Sequence, residues 1–235
     1  MGLAPGEGQW QVKAMSENDK SDSTRLAVIT GASRGLGAAL AEELAARGYH
    51  VLAVARTVGA LEELDDRIRA VGGAATLAPM DVGEAPAMQQ LAEAIAKRWG
   101  GADLWAHCAV HAAPLSPAPH IDGRDWSKSL LVNTEAVRGL IVLLEPLLRA
   151  RAGTALFFDD ARAGQKFFGA YGATKAAQIA LAESWLAETV STGPRVVVAR
   201  PAPMPTAVRA RFFPGEDQKT LTPCKSEAAR ILDEL

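Results

Sequence analysis

Short apolar runs alternate along this chain with longer stretches of helical periodicity, and no other feature of the sequence restricts the fold as much. Apolar runs of about five residues are too short for a buried helix and are typical of strands buried on both faces of a sheet. Strands that alternate with helices predict a parallel sheet with right-handed crossovers. The predicted strands are residues 26–30, 50–55, 75–80, 104–109, 154–158 and 195–199, and the predicted helices are residues 35–47, 58–71, 84–99, 125–149 and 170–191.

The sequence therefore predicts an α/β fold: a Rossmann-like, doubly wound parallel sheet of about six strands, in a single domain over residues 26–235. Residues 1–25 lack an apolar period and are rich in glycine, serine and charged residues, so we predict a disordered N-terminal tail there. Five prolines between residues 201 and 223 predict an irregular segment that covers a site.

Composition excludes several classes of partner. Hydrophobic residues make up 49% of the chain and the net charge is −2, so a core is available but no basic excess favours nucleic acid. No apolar run reaches roughly 18 residues, the length of a membrane-spanning helix, so we expect no membrane partner. Two distant cysteines, Cys108 and Cys224, and an N-terminus unlike a signal peptide predict a cytoplasmic protein.

A glycine-rich turn follows the first predicted strand and opens the first predicted helix. Backbone N–H groups at a helix N-terminus suit a pyrophosphate, and glycines let the backbone approach it closely. Turns of this spacing also occur without a ligand, and the position directly after the first strand is what favours a nucleotide. The candidate nucleotide-binding residues of this turn are Gly31, Ser33, Arg34, Gly35, Leu36 and Gly37.

The run Thr30-Gly-Ala-Ser-Arg-Gly-Leu-Gly37 resembles the Thr-Gly-x-x-x-Gly-x-Gly motif of the short-chain dehydrogenases/reductases. The resemblance extends over about residues 25–230, which is most of the chain. It implies strand order 3-2-1-4-5-6 and hydride transfer between a nicotinamide and a carbonyl or secondary alcohol. Among substrate classes, the resemblance is nearest to a 3-oxoacyl thioester reductase.

The end of the second predicted strand indicates which nicotinamide binds. An acidic residue there would bind the ribose hydroxyl of NAD(H), but the strand ends in Ala55 and Arg56. The guanidinium groups of Arg56 and Arg34 suit a 2′-phosphate, so we predict NADP(H), although surface arginines are usually only solvated. The resemblance implies further cofactor contacts at Asp81, Val82, Ala109, Pro201 and Thr206.

Tyr171 and Lys175 lie four residues apart on a predicted helix, which places both on one face. Free tyrosine has a pKa of about 10, and a nearby ammonium lowers it, so the pair could exchange a proton with a substrate oxygen. This pair resembles the Tyr-x-x-x-Lys signature of the family, in which the lysine also holds the cofactor ribose. Asn133 resembles the family asparagine that holds a water behind the lysine.

The position where the family places a catalytic serine is occupied by Phe158, followed by Asp159 and Asp160. A slightly shorter loop would bring one of the aspartates into that position. An ionised carboxylate cannot donate to a substrate oxygen, whereas a buried, protonated one could. We name Asp159 as the candidate and leave both interpretations open. The missing serine also favours an alternative function, an NADP(H)-binding or interaction subunit with impaired catalysis.

The remaining patterns concern metal, substrate and assembly. A metal site at His107, Cys108 and His111 is disfavoured by alternating strand geometry, and we predict no metal. All six phenylalanines come in adjacent pairs, which predicts an apolar carbonyl substrate but equally suits core packing. Leucines at helical spacing on residues 125–149 and apolar residues on 170–191 predict a homodimer through these helices.

Overall fold

Six parallel strands form one sheet in the order β3-β2-β1-β4-β5-β6 in this structure, a computed structural model that describes residues 24–235. The predicted doubly wound fold and strand order are confirmed. The predicted tail over residues 1–25 lies almost wholly outside the described residues and stays a prediction. The strands are β1 (Leu26–Thr30), β2 (His50–Ala55), β3 (Ala74–Pro79), β4 (Leu104–His107), β5 (Thr154–Phe158) and β6 (Arg195–Ala199).

Helices cover both faces of the sheet. Two short 3₁₀ turns, at Ala118–His120 and Gln218–Thr220, lie in the connections. The helices are α1 (Gly35–Ala46), α2 (Val58–Ala70), α3 (Ala85–Trp99), α4 (Gly123–Leu130), α5 (Ala136–Ala150), α6 (Gly169–Thr189), α7 (Ala207–Phe212) and α8 (Cys224–Asp233).

The helix predicted over residues 125–149 is not continuous. A π-helical turn, Leu131–Glu135, separates α4 from α5. A π turn carries one residue more than an α turn, and such turns are frequent at functional sites. Hydrophobic periodicity does not reveal the extra residue, because apolar side chains stand on both sides of the interruption.

Successive strand residues face opposite cores. Leu26 and Val28 pack on one face of the sheet, whereas Ala27 and Ile29 pack on the other. This alternation explains why the central strands β1, β2 and β4 are unbroken apolar runs, since neither of their faces meets water. The strand order reverses between β1 and β4, and in folds of this type ligands bind outside the carboxyl ends of the strands at such a point.

The apolar residues that predicted a dimer mostly serve the chain's own core. Leu140, Leu144 and Ala182 are fully buried in the core. Val142, by contrast, is 64% exposed on α5 and Val190 is 77% exposed just after α6. No helix within residues 24–235 is both long enough and apolar enough to cross a membrane.

Candidate active site

One cleft of about 540 Å³ opens at the carboxyl ends of the strands, at the reversal of strand order. Of the residues predicted to bind or react, only Asn133 lies outside its lining. Those that line the cleft are Gly31, Ser33, Arg34, Gly35, Leu36, Gly37, Arg56, Asp81, Val82, Ala109, Asp159, Tyr171, Lys175, Pro201 and Thr206.

The glycine-rich turn is built from close backbone contacts. Gly31 has a φ of +79°, and a Cβ atom there would lie 2.5 Å from the Ala109 nitrogen. A Cβ atom on Gly37 would lie 2.3 Å from the Gly31 oxygen, which only glycine permits. A Cβ atom on Gly35 would meet Thr206 Cγ2 at 3.3 Å, so the segment after β6 lies directly against the turn.

The N-terminus of α1 fits the phosphates of a dinucleotide. No side chain caps it, since Arg34 at the N-cap makes no capping hydrogen bond. The first N–H groups of a helix have no partner inside the helix, and together with the helix dipole they attract an anion. An uncapped helix end beside a cradle that tolerates no Cβ atom is the arrangement that a pyrophosphate requires.

Two arginines stand at the predicted 2′-phosphate end of the cleft. Arg34 and Arg56 are both exposed and both line it. Arg56 Nη1 lies 3.6 Å from Asp81 Oδ2, a loose and solvent-exposed pair. Such a pair is weak, so the guanidinium of Arg56 is available to a stronger anionic partner.

Tyr171 stands in an aromatic cluster at the opposite end of the cleft. The residue is 4% exposed, and its ring centroid lies 4.9 Å from that of Phe212 and 6.5 Å from that of Phe168. Val110 packs against the same cluster. The side chain at residue 110 therefore contributes to the apolar wall beside Tyr171.

The aspartate beside Tyr171 is Asp160, not Asp159. The Tyr171 hydroxyl donates a 2.9 Å hydrogen bond to Asp160 Oδ2, and Asp160 Oδ1 pairs with Arg162 Nε at 3.0 Å. Asp159 turns towards Arg200, whose Nε lies 3.2 Å from its Oδ2. Phe158, at the family's serine position, is buried in the core. The loop therefore brings Asp160 to the substrate side of the tyrosine.

The pKa of Tyr171 shifts in the opposite direction to the one that the Tyr-Lys spacing predicts. Burial raises the pKa of Tyr171, and the negative charge of Asp160 and the hydrogen bond to it raise the pKa further. The prediction of a lowered pKa is therefore wrong, because the net shift is upward. A carboxylate that accepts the hydroxyl hydrogen stabilises the protonated phenol.

Lys175 is held from behind by a buried amide. Its Nζ donates a short hydrogen bond to Gln178 Oε1, and Gln178 Nε2 donates to the Asn133 carbonyl oxygen at 3.2 Å. Burial lowers the pKa of Lys175 to about 8. The π turn places the Asn133 carbonyl within reach of α6. Gln178 is not among the residues predicted from the sequence, although an amide three residues after the lysine, on the same helix face, is a visible signal.

The Asn133 side chain does not reach the cleft. Its Oδ1 accepts from the His111 N–H at 2.7 Å, and its Nδ2 donates to the His111 carbonyl oxygen at 3.0 Å and to Thr174 Oγ1 at 3.0 Å. The asparagine side chain thus links the segment after β4 to α6, because it bonds the backbone of His111 and the hydroxyl of Thr174. Its carbonyl, rather than its side chain, connects it to Lys175 through Gln178.

His107, the last residue of β4, is buried, Cys108 after it is partly exposed, and both are electrically neutral at neutral pH. Thr30 Oγ1 lies 2.9 Å from His107 Nδ1, and burial with the nearby charge of Lys175 lowers the pKa of His107 to about 3. Burial raises the pKa of the Cys108 thiol to about 12. Within residues 24–235, no three His, Cys, Asp or Glu side chains are grouped to hold a metal.

The segment after β6 lines one side of the cleft and is held in place by a hydrogen bond to α8. The Ala202 N–H donates to Glu227 Oε1 at 2.8 Å, and Glu227 on α8 is itself 2% exposed. Phe212 and Phe213 line the cleft, while Phe157 belongs to the core and Phe167 is largely exposed. One of the three phenylalanine pairs therefore supplies the apolar wall with both of its rings.

Comparison with known proteins agrees with this site. Residues 25–217 match the family described as short chain dehydrogenase. A short chain dehydrogenase of Shigella flexneri, solved in complex with NADP, is 27% identical with a TM-score of 0.79, and the match covers 86% of each chain.

Two curated relatives are longer than this chain. An uncharacterised oxidoreductase of Mycobacterium bovis is 30% identical over 88% of this chain and 62% of its own length. A fatty acyl-CoA reductase of Acinetobacter baylyi is 32% identical over 71% of this chain and 58% of its own length. The matches thus span less than two thirds of either relative.

Proposed function

This chain belongs to the short chain dehydrogenase family, and from that premise we propose that it is an NADP(H)-dependent oxidoreductase that acts on an apolar carbonyl or its secondary alcohol. One observation carries the proposal: the glycine-rich turn and the Tyr171–Lys175 pair line the same cleft. A dinucleotide held by its phosphates at the turn would extend along the cleft towards the pair.

The cofactor end would hold NADP(H) by its phosphates. The uncapped N-terminus of α1 would bind the pyrophosphate, and Arg34 and Arg56 would bind the 2′-phosphate. Lys175, which projects into the cleft, would hold a ribose hydroxyl. The bound nicotinamide supplies or accepts a hydride, and the protein supplies binding, orientation and a proton. NADP bound to the Shigella flexneri relative supports the choice of cofactor.

Tyr171 would supply the proton. Because its pKa is raised, the phenol keeps its hydrogen at neutral pH, and the protonated phenol is the form that can donate to a carbonyl oxygen. Removing a proton from an alcohol would need the phenolate, which this environment disfavours. The site therefore favours carbonyl reduction over alcohol oxidation at neutral pH.

An apolar or acyl substrate suits the wall opposite the cofactor end. Val110, Phe212, Phe213 and Met204 line this part of the cleft. Apolar lining with a few placed polar groups is the usual composition of small-molecule sites. Similarity to a fatty acyl-CoA reductase supports a ketone with a hydrocarbon chain or a 3-oxoacyl thioester.

Two measurements test this function. Tryptophan-to-nicotinamide energy transfer gives the dissociation constants of NADPH and NADH, and we expect NADPH to bind more tightly. Absorbance at 340 nm then follows NADPH consumption with a panel of apolar ketones and 3-oxoacyl thioesters, and we expect turnover with at least one. Absence of NADPH binding would overturn the proposal.

A second candidate function is an NADP(H)-binding subunit without turnover. The observation that favours it is the bond from the Tyr171 hydroxyl to Asp160, which occupies the hydrogen that a substrate oxygen would need. An ionised carboxylate there would also repel the developing alkoxide. Tight NADPH binding with no consumption on the whole panel would select this candidate.

We also propose a homodimer through α5 and α6. The support is the exposed apolar surface at Val142, Leu186 and Val190, not the buried leucines of those helices. Light scattering at micromolar concentration should give twice the monomer mass, and Val142→Asp should reduce it. A monomeric wild type would contradict the proposal.

A further inference from the structure

The Tyr171 hydroxyl hydrogen-bonds to a carboxylate that is partly exposed in the cleft. The Tyr171 ring is enclosed by Phe168 and Phe212, and among the described residues Asp160 is the side chain that bonds its hydroxyl. The Asp160 side chain is 34% exposed and lines the cleft. A carboxylate oxygen accepts more than one hydrogen bond, so Asp160 can contact Tyr171 and water together.

Behind Lys175, the buried side chain of Gln178 blocks a second route for protons to solvent. Lys175 is 6% exposed, and Gln178, which bonds its ammonium, is fully buried. A water molecule in the position of Gln178 could accept a proton from one side and release another. The amide has a nitrogen that only donates and an oxygen that only accepts, so it cannot pass a proton on. Gln178 therefore positions Lys175 and does not connect it to solvent.

We propose that Asp160 carries protons between solvent and the Tyr171 hydroxyl, and that this path through the cleft replaces the one that Gln178 closes behind Lys175. The inference rests on the proposed function, because a reductase must return a proton to the tyrosine after each reaction. It assigns to Asp160 a role in the reaction, since it touches the atom that gives up the proton.

The proton balance is complete with water as the source. When Tyr171 protonates the carbonyl oxygen, its O–H bond breaks, the pair stays on the phenolate and a new O–H bond forms on the product. Asp160 passes a proton from water in the cleft to the phenolate, and the hydroxide that remains leaves the cleft and is neutralised by the buffer, so that each reduction consumes one proton from solution. A carboxylic acid is a stronger acid than a phenol, so the transfer from the acid to the phenolate is favourable.

Several other charged or titratable groups surround this pair. Arg162 neutralises part of the Asp160 charge, and Arg209, which also interacts with that charge, is itself paired with Glu216. The groups that face the pair from the neighbouring elements are Asp159 and Arg162 on the loop after β5, Lys175 on α6, Cys108 after β4 and Arg209 on α7.

The chain allows a direct measurement that needs no substrate. It has only two tyrosines, Tyr49 and Tyr171, so Tyr49→Phe leaves Tyr171 as the single one. In mixed light and heavy water, a tyrosine labelled with ¹³C at Cζ shows two signals when its hydroxyl exchanges slowly and one when it exchanges quickly. In this background we expect one averaged signal, and in Tyr49→Phe/Asp160→Asn two signals, with exchange at least tenfold slower.

Two further variants complete the test. Asp159→Asn, a matched loss of charge one residue away, should change the exchange rate less than Asp160→Asn. In Asp160→Ala, added formate should restore fast exchange, whereas equal chloride should not. Exchange that is equally fast with and without Asp160, in variants that still bind NADPH, would overturn the inference.

Turnover gives an independent reading. With an active ketone, Asp160→Asn should consume about one equivalent of NADPH quickly, using the proton already on Tyr171, and then slow down. Formate should speed the slow phase and leave the first phase unchanged. If no ketone is reduced even by the wild type, the proposed function fails, but the exchange measurement still decides the role of Asp160.

Discussion

The two ends of the cleft are held by different kinds of contact. At the glycine-rich turn, backbone lies against backbone, and a Cβ atom on Gly31 would lie 2.5 Å from the Ala109 nitrogen. Around Tyr171, side chains make the decisive contacts, with Asp160 between the hydroxyl and Arg162. Tight backbone packing tolerates few substitutions, whereas a side-chain contact changes with a single one.

This difference explains where the chain keeps to the family pattern and where it departs from it. The cofactor end follows the motif because any Cβ atom would disturb the turn. The reaction end replaces serine with a loop that carries Asp160, and it fills the space behind Lys175 with Gln178. One fold can therefore keep the backbone of the glycine-rich turn while the side chains around the Tyr-Lys pair differ.

The largest expected effect is a loss of turnover with no change in cofactor binding. Tyr171→Phe should lower NADPH-dependent turnover at least about 100-fold, because the ring remains and only the proton donor is lost. NADPH binding should be unchanged. Tyr49→Phe is the matched control, since Tyr49 packs under Arg25 and does not line the cleft. Turnover retained in Tyr171→Phe would mean that another group gives the proton.

A substitution at the cofactor end should instead act on folding. Gly31→Ala should reduce the free energy of unfolding by about 2–5 kcal/mol, from a left-handed backbone of about 1–2 kcal/mol and overpacking of about 1–3 kcal/mol. Urea denaturation measures it. Gly59→Ala on α2 meets no atom within 4 Å and should be neutral or stabilising by up to about 1 kcal/mol. Equal stabilities of the two variants would contradict the backbone argument.

The buried ammonium at the reaction end should appear as a pH-dependent stability difference. Burial lowers the pKa of Lys175 to about 8, whereas the unfolded chain keeps a lysine pKa of about 10.4. Between these values the folded protein releases a proton that the unfolded chain retains, so rising pH stabilises the wild type.

Lys175→Met isolates this effect. From pH 7 to pH 10, the stability of the wild type relative to this variant should rise by about 1–3 kcal/mol. Urea denaturation at both pH values is the measurement. A difference that stays constant or falls with pH would show that the ammonium is not buried in the folded protein.

The smallest expected effect is on nucleotide affinity and tests whether Arg56 binds the 2′-phosphate. Arg56→Ala should weaken NADPH binding about tenfold, the loss of one charge-assisted hydrogen bond of about 1.5 kcal/mol, and leave NADH binding unchanged. Arg69→Ala on α2, an exposed arginine paired with Asp65, is the control. An equal loss for both nucleotides would place Arg56 away from the 2′-phosphate.

Much of the fold follows from local periodicity. The limits of β1, β2, β5 and β6 match the predicted ones, because strands buried on both faces contain few polar residues that could blur their ends. The glycine-rich turn is equally local. The π turn at Leu131–Glu135 does not follow from local periodicity, because it is linked to α6 by the distant hydrogen bond between Gln178 and the Asn133 carbonyl.

The reaction end could not be predicted from residue counts. Whether Asp159 or Asp160 meets the tyrosine depends on the path of the loop, which turns through Phe167 with a φ of +71° and pairs Phe168 with Ser116. The direction of the Tyr171 pKa shift reversed for the same reason. Its sign depends on a carboxylate that the Tyr-Lys spacing does not include.

Two arginines from different segments, Arg162 and Arg209, lie over the same aromatic ring in the lining of the cleft, that of Phe213. The Arg162 guanidinium lies 5.1 Å from the centre of this ring and that of Arg209 lies 5.0 Å from it. The loop after β5 and the segment after β6 therefore both contact the same ring. Each cation–π contact contributes about 0.5–2 kcal/mol, and the larger figure applies where the cation is desolvated. Because Arg162 contacts both Phe213 and Asp160, a substitution of Phe213 would also alter the surroundings of the Asp160 carboxylate.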